Sequence, residues 1–219
     1  MSLWIKICAN TSLEDARLAA RLGANAVGFV FAPSKRRVTI EQAAAIVPHL
    51  PPGVEKIGVF VDSSFNEIAA AVNSAGLTGV QLHFAASSEL AAQLRQRFGA
   101  GLRIVQTVHF AVGEPAPMLD AIDVDANVDV ILVDSRTATA SGGTGQPYDW
   151  DLAATALFKI AQKPLIAAGG LTPENVSEAI EILKPWGVDV ASGVEAAPGK
   201  KDPDKLRAFI ENARAAAKA

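Results

Sequence analysis

Cysteine is almost missing from this chain: Cys8 is the only one in 219 residues. One thiol excludes an internal disulfide framework and any metal centre built from several cysteines. Long hydrophobic runs are also missing. The longest apolar stretches are strand-length, so none is expected to span a membrane, and the N-terminus lacks the apolar core of a signal peptide. Neither charge sign dominates. The net charge is −3 with Lys and Arg scattered rather than striped, which argues against nucleic acid as the main partner. No linker or low-complexity segment divides the chain, so residues 1–219 are expected to form one domain. Half of the residues are hydrophobic, enough to bury a full core. These absences leave an acidic, soluble, cytoplasmic protein.

Short apolar, β-branched runs recur along the whole length: Trp4 to Ile7, Ala26 to Phe31, Lys56 to Val61, Gly79 to Leu82, Arg103 to Val108, Val128 to Val133, Pro164 to Ala167 and Val188 to Ala191. Most are near-continuous rather than alternating, as parallel strands covered on both faces should be. Helical periodicity fills the gaps. Ile68, Ala71, Val72 and Ala75 share one face, as do Val176, Ala179, Ile180 and Leu183, and Leu206, Phe209, Ile210 and Ala213. Capping-box spacing marks helix starts at Thr11/Glu14, Thr39/Gln42 and Ser64/Glu67, and Thr172-Pro173 and Asp202-Pro203 pair a cap with a first-turn proline. Eight strand–helix units of about 27 residues each fit an α/β fold of the compact (β/α)8 TIM-barrel type. The runner-up is a doubly wound open sheet, but no Gly-rich dinucleotide fingerprint follows the first strand. Ser135 to Tyr148 reads as the clearest long loop.

Two glycine-containing loops follow the last two strands, Ala168-Gly169-Gly170-Leu171-Thr172 and Ser192-Gly193-Val194-Glu195. Glycine lets main-chain N–H groups approach an anion closely, and a helix beginning just beyond adds further donors. Paired loops of this kind after the last strands hold phosphate in many barrels, so a phosphorylated small molecule is the expected ligand. The other strand ends nominate Cys8, Arg36, Asp62, His83, Thr107 and Asp134. Each has two readings. Cys8 is a small buried hydrophobe or, as a thiolate, a base or nucleophile. Asp134 is a loop cap or an acid/base. His83 polarises a substrate or bonds at the barrel rim. Arg36 is a solvated loop cation or a bidentate carboxylate grip. Asp62, beside Ser63 and Ser64, reads as a turn or cap residue.

Taken together, the motifs resemble the phosphoribosylanthranilate isomerase family of tryptophan biosynthesis. They include Lys6-Ile7-Cys8, Gly28-Phe29-Val30-Phe31, Ser34-Lys35-Arg36, Gly58-Val59-Phe60-Val61 and Gln81-Leu82-His83. Further on come Gly142-Gly143-Thr144-Gly145, Tyr148-Asp149-Trp150 and Gly169-Gly170-Leu171-Thr172-Pro173-Glu174-Asn175-Val176. The match closes with Asp189-Val190-Ala191-Ser192-Gly193-Val194-Glu195 and Pro198-Gly199-Lys200-Lys201-Asp202. The resemblance implies a single barrel that converts N-(5-phosphoribosyl)anthranilate to its 1-deoxyribulose isomer by an Amadori rearrangement. It further implies Cys8 as general base and Asp134 as general acid. Arg36 would hold the anthranilate carboxylate, the loops at Gly169-Gly170 and Ser192-Gly193 the phosphate, and His83 and Asp189 would also contact substrate. No metal or organic cofactor is implied.

The expected electrostatics follow from the chemistry: Asp134 raised by desolvation, Cys8 lowered if Lys6 or Arg36 reaches it. Two positions depart from the family pattern, where glycine usually stands: Ala9 after Lys-Ile-Cys and Phe84 after Gln-Leu-His. Two other readings remain at this stage. One is the histidine-pathway isomerase, which uses an aspartate at the end of strand one and two phosphate sites. The other is a phosphosugar-binding barrel without catalysis.

Overall fold

The structure is a computed structural model that describes residues 3–83, 88–110, 123–137, 140–141 and 149–218. The apolar runs form the strands β1 (Trp4–Ile7), β2 (Ala26–Val30), β3 (Glu55–Phe60), β4 (Gly79–Leu82), β5 (Arg103–Phe110), β6 (Val130–Thr137), β7 (Leu165–Ala167) and β8 (Gly187–Val190). Each pairs in parallel with the next, and β8 pairs back onto β1, with Lys6 beside both Ala26 and Asp189. The ring is therefore a closed eight-stranded barrel, and the open doubly wound sheet is excluded.

Closure explains why the strand sequences look so uniformly apolar. Ile5, Ile7, Val27, Phe29, Val80, Leu82, Ile104, Ile131, Val133 and Val188 point outward into one large cluster with the helices. Trp4, Ala26, Ile57, Val105, Val130, Leu132, Ile166 and Ala168 form a second cluster, and the two-residue period of a strand turns these inward. The N-terminal end of the barrel is plugged. Trp4 stacks on Trp186 at 5.2 Å between ring centroids, the Arg103 guanidinium lies over Trp186, and Glu55 accepts from both Trp4 Nε1 and Arg103. With that end filled, open space is left to the C-terminal end.

The described helices are α1 (Leu13–Arg21), α2 (Ile40–Ile46), α3 (Phe65–Ala75), α4 (Ser88–Phe98), α5 (Trp150–Ala153, running into a π-helical turn to Phe158), α6 (Val176–Leu183) and α7 (Pro203–Ala216). The expected apolar faces of α3, α6 and α7 are the buried ones. Capping boxes form at Thr39/Gln42 and Ser64/Glu67, and Asp202 caps α7 ahead of Pro203. Two starts differ from expectation. The cap of α1 is Ser12, whose hydroxyl accepts from Asp15 N–H, one residue beyond the expected Thr11; Thr11 Oγ1 instead donates to Gly199 O. After β7 the chain makes a turn through residues 173–175 before α6 begins, so Thr172 does not cap a helix directly.

β6 runs past the expected boundary to Thr137, and Arg136 and Thr137 pair antiparallel with Ser141 and Ala140. Part of the stretch read as a long loop is thus strand. Gly142, Gly143, Thr144, Gly145, Tyr148 and Phe84 lie outside the described residues. Among the described residues no helix is long and apolar enough to cross a membrane.

Candidate active site

Strand parity assembles the site. Counting by two along β1 from Trp4 puts Lys6 and then Cys8 inside the barrel; the same count gives Gln81 and His83 on β4, Thr107 on β5, Asp134 on β6 and Asp189 on β8. The side chains nearest the C-terminal ends line a cavity of about 400 Å³ with Arg36 at its edge. Cys8, Arg36, His83, Asp134, Gly169, Gly170, Asp189 and Ser192 all face it. Three of the nominated residues do not. Asp62 sits in a left-handed turn conformation (φ 52°). Thr107 stands below the cavity against Gln81 and His83. Gly193 packs the two glycine loops together, since a Cβ there would lie 2.0 Å from the Leu171 carbonyl oxygen. A bulky residue at Gly193 would therefore displace backbone rather than merely block a ligand.

The floor of the cavity is polar. Lys6 Nζ, fully buried, donates to Gln81 Oε1 and Asp189 Oδ2, both at 2.8 Å. A buried ammonium needs such partners, because an unpaired one would be strongly destabilising. Burial alone would push Lys6 down, but the charges of Asp189 and Cys8 outweigh it and hold the ammonium above its ordinary value. Cys8 sits over this network in a notch opposite Gly28, where a Cβ would be 2.8 Å from Cys8 Sγ. Its thiol is raised above the ordinary value, contrary to the expectation from sequence. Burial is the dominant cause and Asp189 adds to it, while Lys6 and Lys201 only partly oppose. The Arg36 guanidinium also feels the Cys8 charge but is bonded to Glu195, and burial still wins.

Asp134 behaves as expected. Burial first, and the Asp189 charge second, push its carboxyl up to about 7. Oδ1 accepts the Ser135 N–H at 2.8 Å, and Oδ2 lies 3.6 Å from His83 Nε2. That pair is not an ion pair near neutrality, for burial, His109 and Lys6 lower His83 to about 4. With Gln81 Oε1 occupied by Lys6, the Gln81 amide NH2 faces His83 Nδ1 at 3.1 Å and places the ring proton on Nε2, towards Asp134. Among the described residues, His83, His109 and Asp134 are the group whose ligand-type atoms approach one another within 4.8 Å and could hold a metal ion.

The glycine loop after β7, nominated from the sequence to hold an anion, offers only backbone donors. Gly169 and Gly170 both adopt positive φ (81° and 67°), and their amides donate to no protein acceptor among the described residues. Asn175 holds the loop, donating to Gly170 O at 2.9 Å and accepting the Thr172 N–H at 2.8 Å. Gly169 also lets the loop close on Asp134: a Cβ would lie 2.6 Å from its Oδ1. Because α6 starts only at Val176, its dipole stands farther from this loop than the sequence suggested.

Residues 5–212 match the family model for N-(5'phosphoribosyl)anthranilate (PRA) isomerase. The chain belongs to the PRA isomerase family. A relative named N-(5'-phosphoribosyl)anthranilate isomerase in Pelobacter propionicus is 42% identical over 96% of this chain and 95% of its own. One in Geobacter sulfurreducens is likewise 42% identical, covering 96% and 98%. The solved PRA isomerase of Thermotoga maritima superposes with a TM-score of 0.85 at 38% identity, covering 97% of this chain and 99% of that one. A PRA isomerase solved in complex with reduced 1-(o-carboxyphenylamino)-1-deoxyribulose 5-phosphate superposes with a TM-score of 0.82 at 36% identity, with the same coverage.

The family's usual glycine after Cys8 has a visible reason here. Ala9, fully buried, is held at φ 60°, a conformation that costs a non-glycine residue on the order of 1 kcal/mol. Neighbouring bonds enforce it: Cys8 N–H donates to Val190 O, and Asn10 bonds Ile7 O and Gly28 O. Ala9→Gly relieves strain next to the thiol, while lost methyl burial and a floppier unfolded chain offset the gain in stability. The expected result is a several-fold rise in kcat/KM with Tm shifted by no more than about 2 °C. Unchanged kinetics would show that the loop accommodates the methyl group at no functional cost.

Proposed function

We propose that this protein isomerises N-(5'-phosphoribosyl)anthranilate to 1-(2-carboxyphenylamino)-1-deoxyribulose 5-phosphate in tryptophan biosynthesis, with Asp134 as general acid and Cys8 as general base. The observation that carries the assignment is the meeting, in one cavity, of a carboxyl pushed to about 7 and a thiol beside a buried ammonium. Asp134 gives its proton to the ribose ring oxygen as the C1′–O bond breaks, and the lone pair of the anthranilate nitrogen forms the C1′=N bond of a protonated Schiff base. Cys8, as thiolate, then takes the C2′ proton to give an enolamine, which tautomerises to the ketone. No redox change occurs. Lys6 stabilises the thiolate that must form at Cys8, and its grip on Asp189 and Gln81 keeps it in place. The amides of Gly169 and Gly170 bind the phosphate, and the free edge of Arg36 takes the anthranilate carboxylate.

Turnover of phosphoribosylanthranilate generated in situ tests this reading. Consumption of substrate by the purified protein is expected, and binding without turnover would favour a phosphosugar-binding barrel instead. The histidine-pathway alternative finds no aspartate at the end of β1, where Cys8 stands.

A further inference from the structure

Arg36 is not a lone cation at the cavity edge. Its Nε donates to both Glu195 oxygens at 3.0 Å and its Nη2 to Oε2 at 2.7 Å. Nη1 has no partner among the described residues. Glu195 lies in a short antiparallel ribbon, Glu195–Ala197 with Lys200–Lys201, that follows the loop after β8. Its Oε1 also accepts the Gly199 N–H at 3.2 Å and faces Lys201 Nζ at 3.4 Å. The Lys201 side chain is completely buried, and its ammonium donates to Ala191 O at 3.2 Å.

An isolated Arg–Glu pair has no net charge, and a carboxylate ligand would have to compete with the glutamate. The third member changes that account. Burial pulls the Lys201 ammonium below its ordinary value and the Glu195 charge opposes that; with Lys201 protonated, Arg36, Glu195 and Lys201 together carry one positive charge, and the exposed part of it is the unpaired Arg36 edge. Burial opposes the charge on Glu195, yet the Arg36 hydrogen bonds and the Lys201 and Arg36 charges hold its carboxyl below the ordinary value. The fork is thus intact at neutral pH. A long arginine gripped along one edge also loses its rotamer freedom before ligand arrives, which lowers the entropy cost of binding.

We propose that Glu195 and Lys201 are positioning residues that present Arg36 to the carboxylate of the substrate: Glu195 fixes the guanidinium, and Lys201 balances Glu195 so that the cluster stays cationic. This rests on the reading in which Arg36 binds that carboxylate. Neither residue touches the ligand, and neither is part of the acid–base pair.

The test compares Glu195→Gln, Lys201→Met and Arg36→Met for KM and kcat with phosphoribosylanthranilate, and for inhibition by inorganic phosphate. Glu195→Gln is expected to raise KM roughly tenfold, the value of about one charge-assisted hydrogen bond. Lys201→Met should raise it several-fold. Glu195→Gln should keep kcat within about twofold of the parent, whereas Lys201→Met also removes a charge that favours the Cys8 thiolate and should lower kcat as well. Both should leave the inhibition constant of phosphate unchanged, since the amides at Gly169-Gly170 are untouched. If Lys201→Met fails to fold, Glu195→Gln, which keeps the side-chain shape, decides. Arg36→Met separates the layers. An unchanged KM in Arg36→Met overturns the carboxylate reading itself. A raised KM in Arg36→Met with parental KM in Glu195→Gln overturns the positioning role alone. Equal loss of substrate and phosphate affinity in Glu195→Gln also overturns it, because that marks collapse of the loop rather than loss of aim.

Discussion

Cys8→Ala should lower kcat by roughly 10²- to 10⁴-fold, the usual contribution of a positioned general base, and change KM little. The thiol sits on the Lys6 network without making a bond that holds the substrate in place, so its loss is felt in the proton transfer rather than in ground-state binding. Cys8→Ser sharpens the test. It keeps the shape that fits opposite Gly28, but a hydroxyl does not ionise where a thiol can, even next to Lys6. Serine should therefore be nearly as defective as alanine. The two kinetic constants, measured with substrate generated in situ, check this. Near-parental kcat in either variant would remove Cys8 from the mechanism. Burial outweighs Lys6 and Lys201 in the free protein and raises the thiol, and Lys6 is the larger of the two charges that favour the thiolate.

The second large effect is at Asp134. Asp134→Asn keeps an oxygen able to accept the Ser135 N–H but cannot protonate the ring oxygen, so kcat should again fall roughly 10²- to 10⁴-fold. The same variant should be more stable than the parent, and the pH dependence gives the sign. The carboxyl titrates near 3.8 when exposed and at about 7 in the fold. Between those values the unfolded chain has released the proton and the native protein has kept it. Stability from this group therefore falls as pH rises through that window, and the whole penalty stands above about 7. Asparagine carries no such penalty. The Tm of Asp134→Asn minus that of the parent should be near zero at pH 4 and clearly positive at pH 8. A gap that does not widen with pH would mean that Asp134 is not held protonated. Loss of activity with gain of stability is the signature of a group kept in an unfavourable place for its chemistry.

The sequence by itself determined the architecture and nominated most of the residues that line the candidate site. Eight doubly buried parallel strands leave near-continuous apolar runs, and helices that cover them leave a 3.6-residue period, so both signals are local and survive without coordinates. Cys8, Asp134, His83 and the Gly169-Gly170 loop were legible because strand ends in a barrel point at one place. Thr107 shows the limit of that rule: it points inward as its parity requires, but nearness to a strand end does not say how far up the barrel a side chain reaches, and it stops below the cavity against Gln81 and His83.

Partnerships between distant positions were decided by tertiary structure alone. The sequence offered Lys6 as the group that would lower the thiol, but burial at the centre of a closed ring is collective, and it reversed the sign. Gln81 and Asp189 meet Lys6 across gaps of 75 and 183 residues, and Glu195 meets Arg36 across 159. A single chain gives no pattern for such pairs. Their charges are chosen by who faces whom inside a dry barrel, and that is settled only when the ring closes.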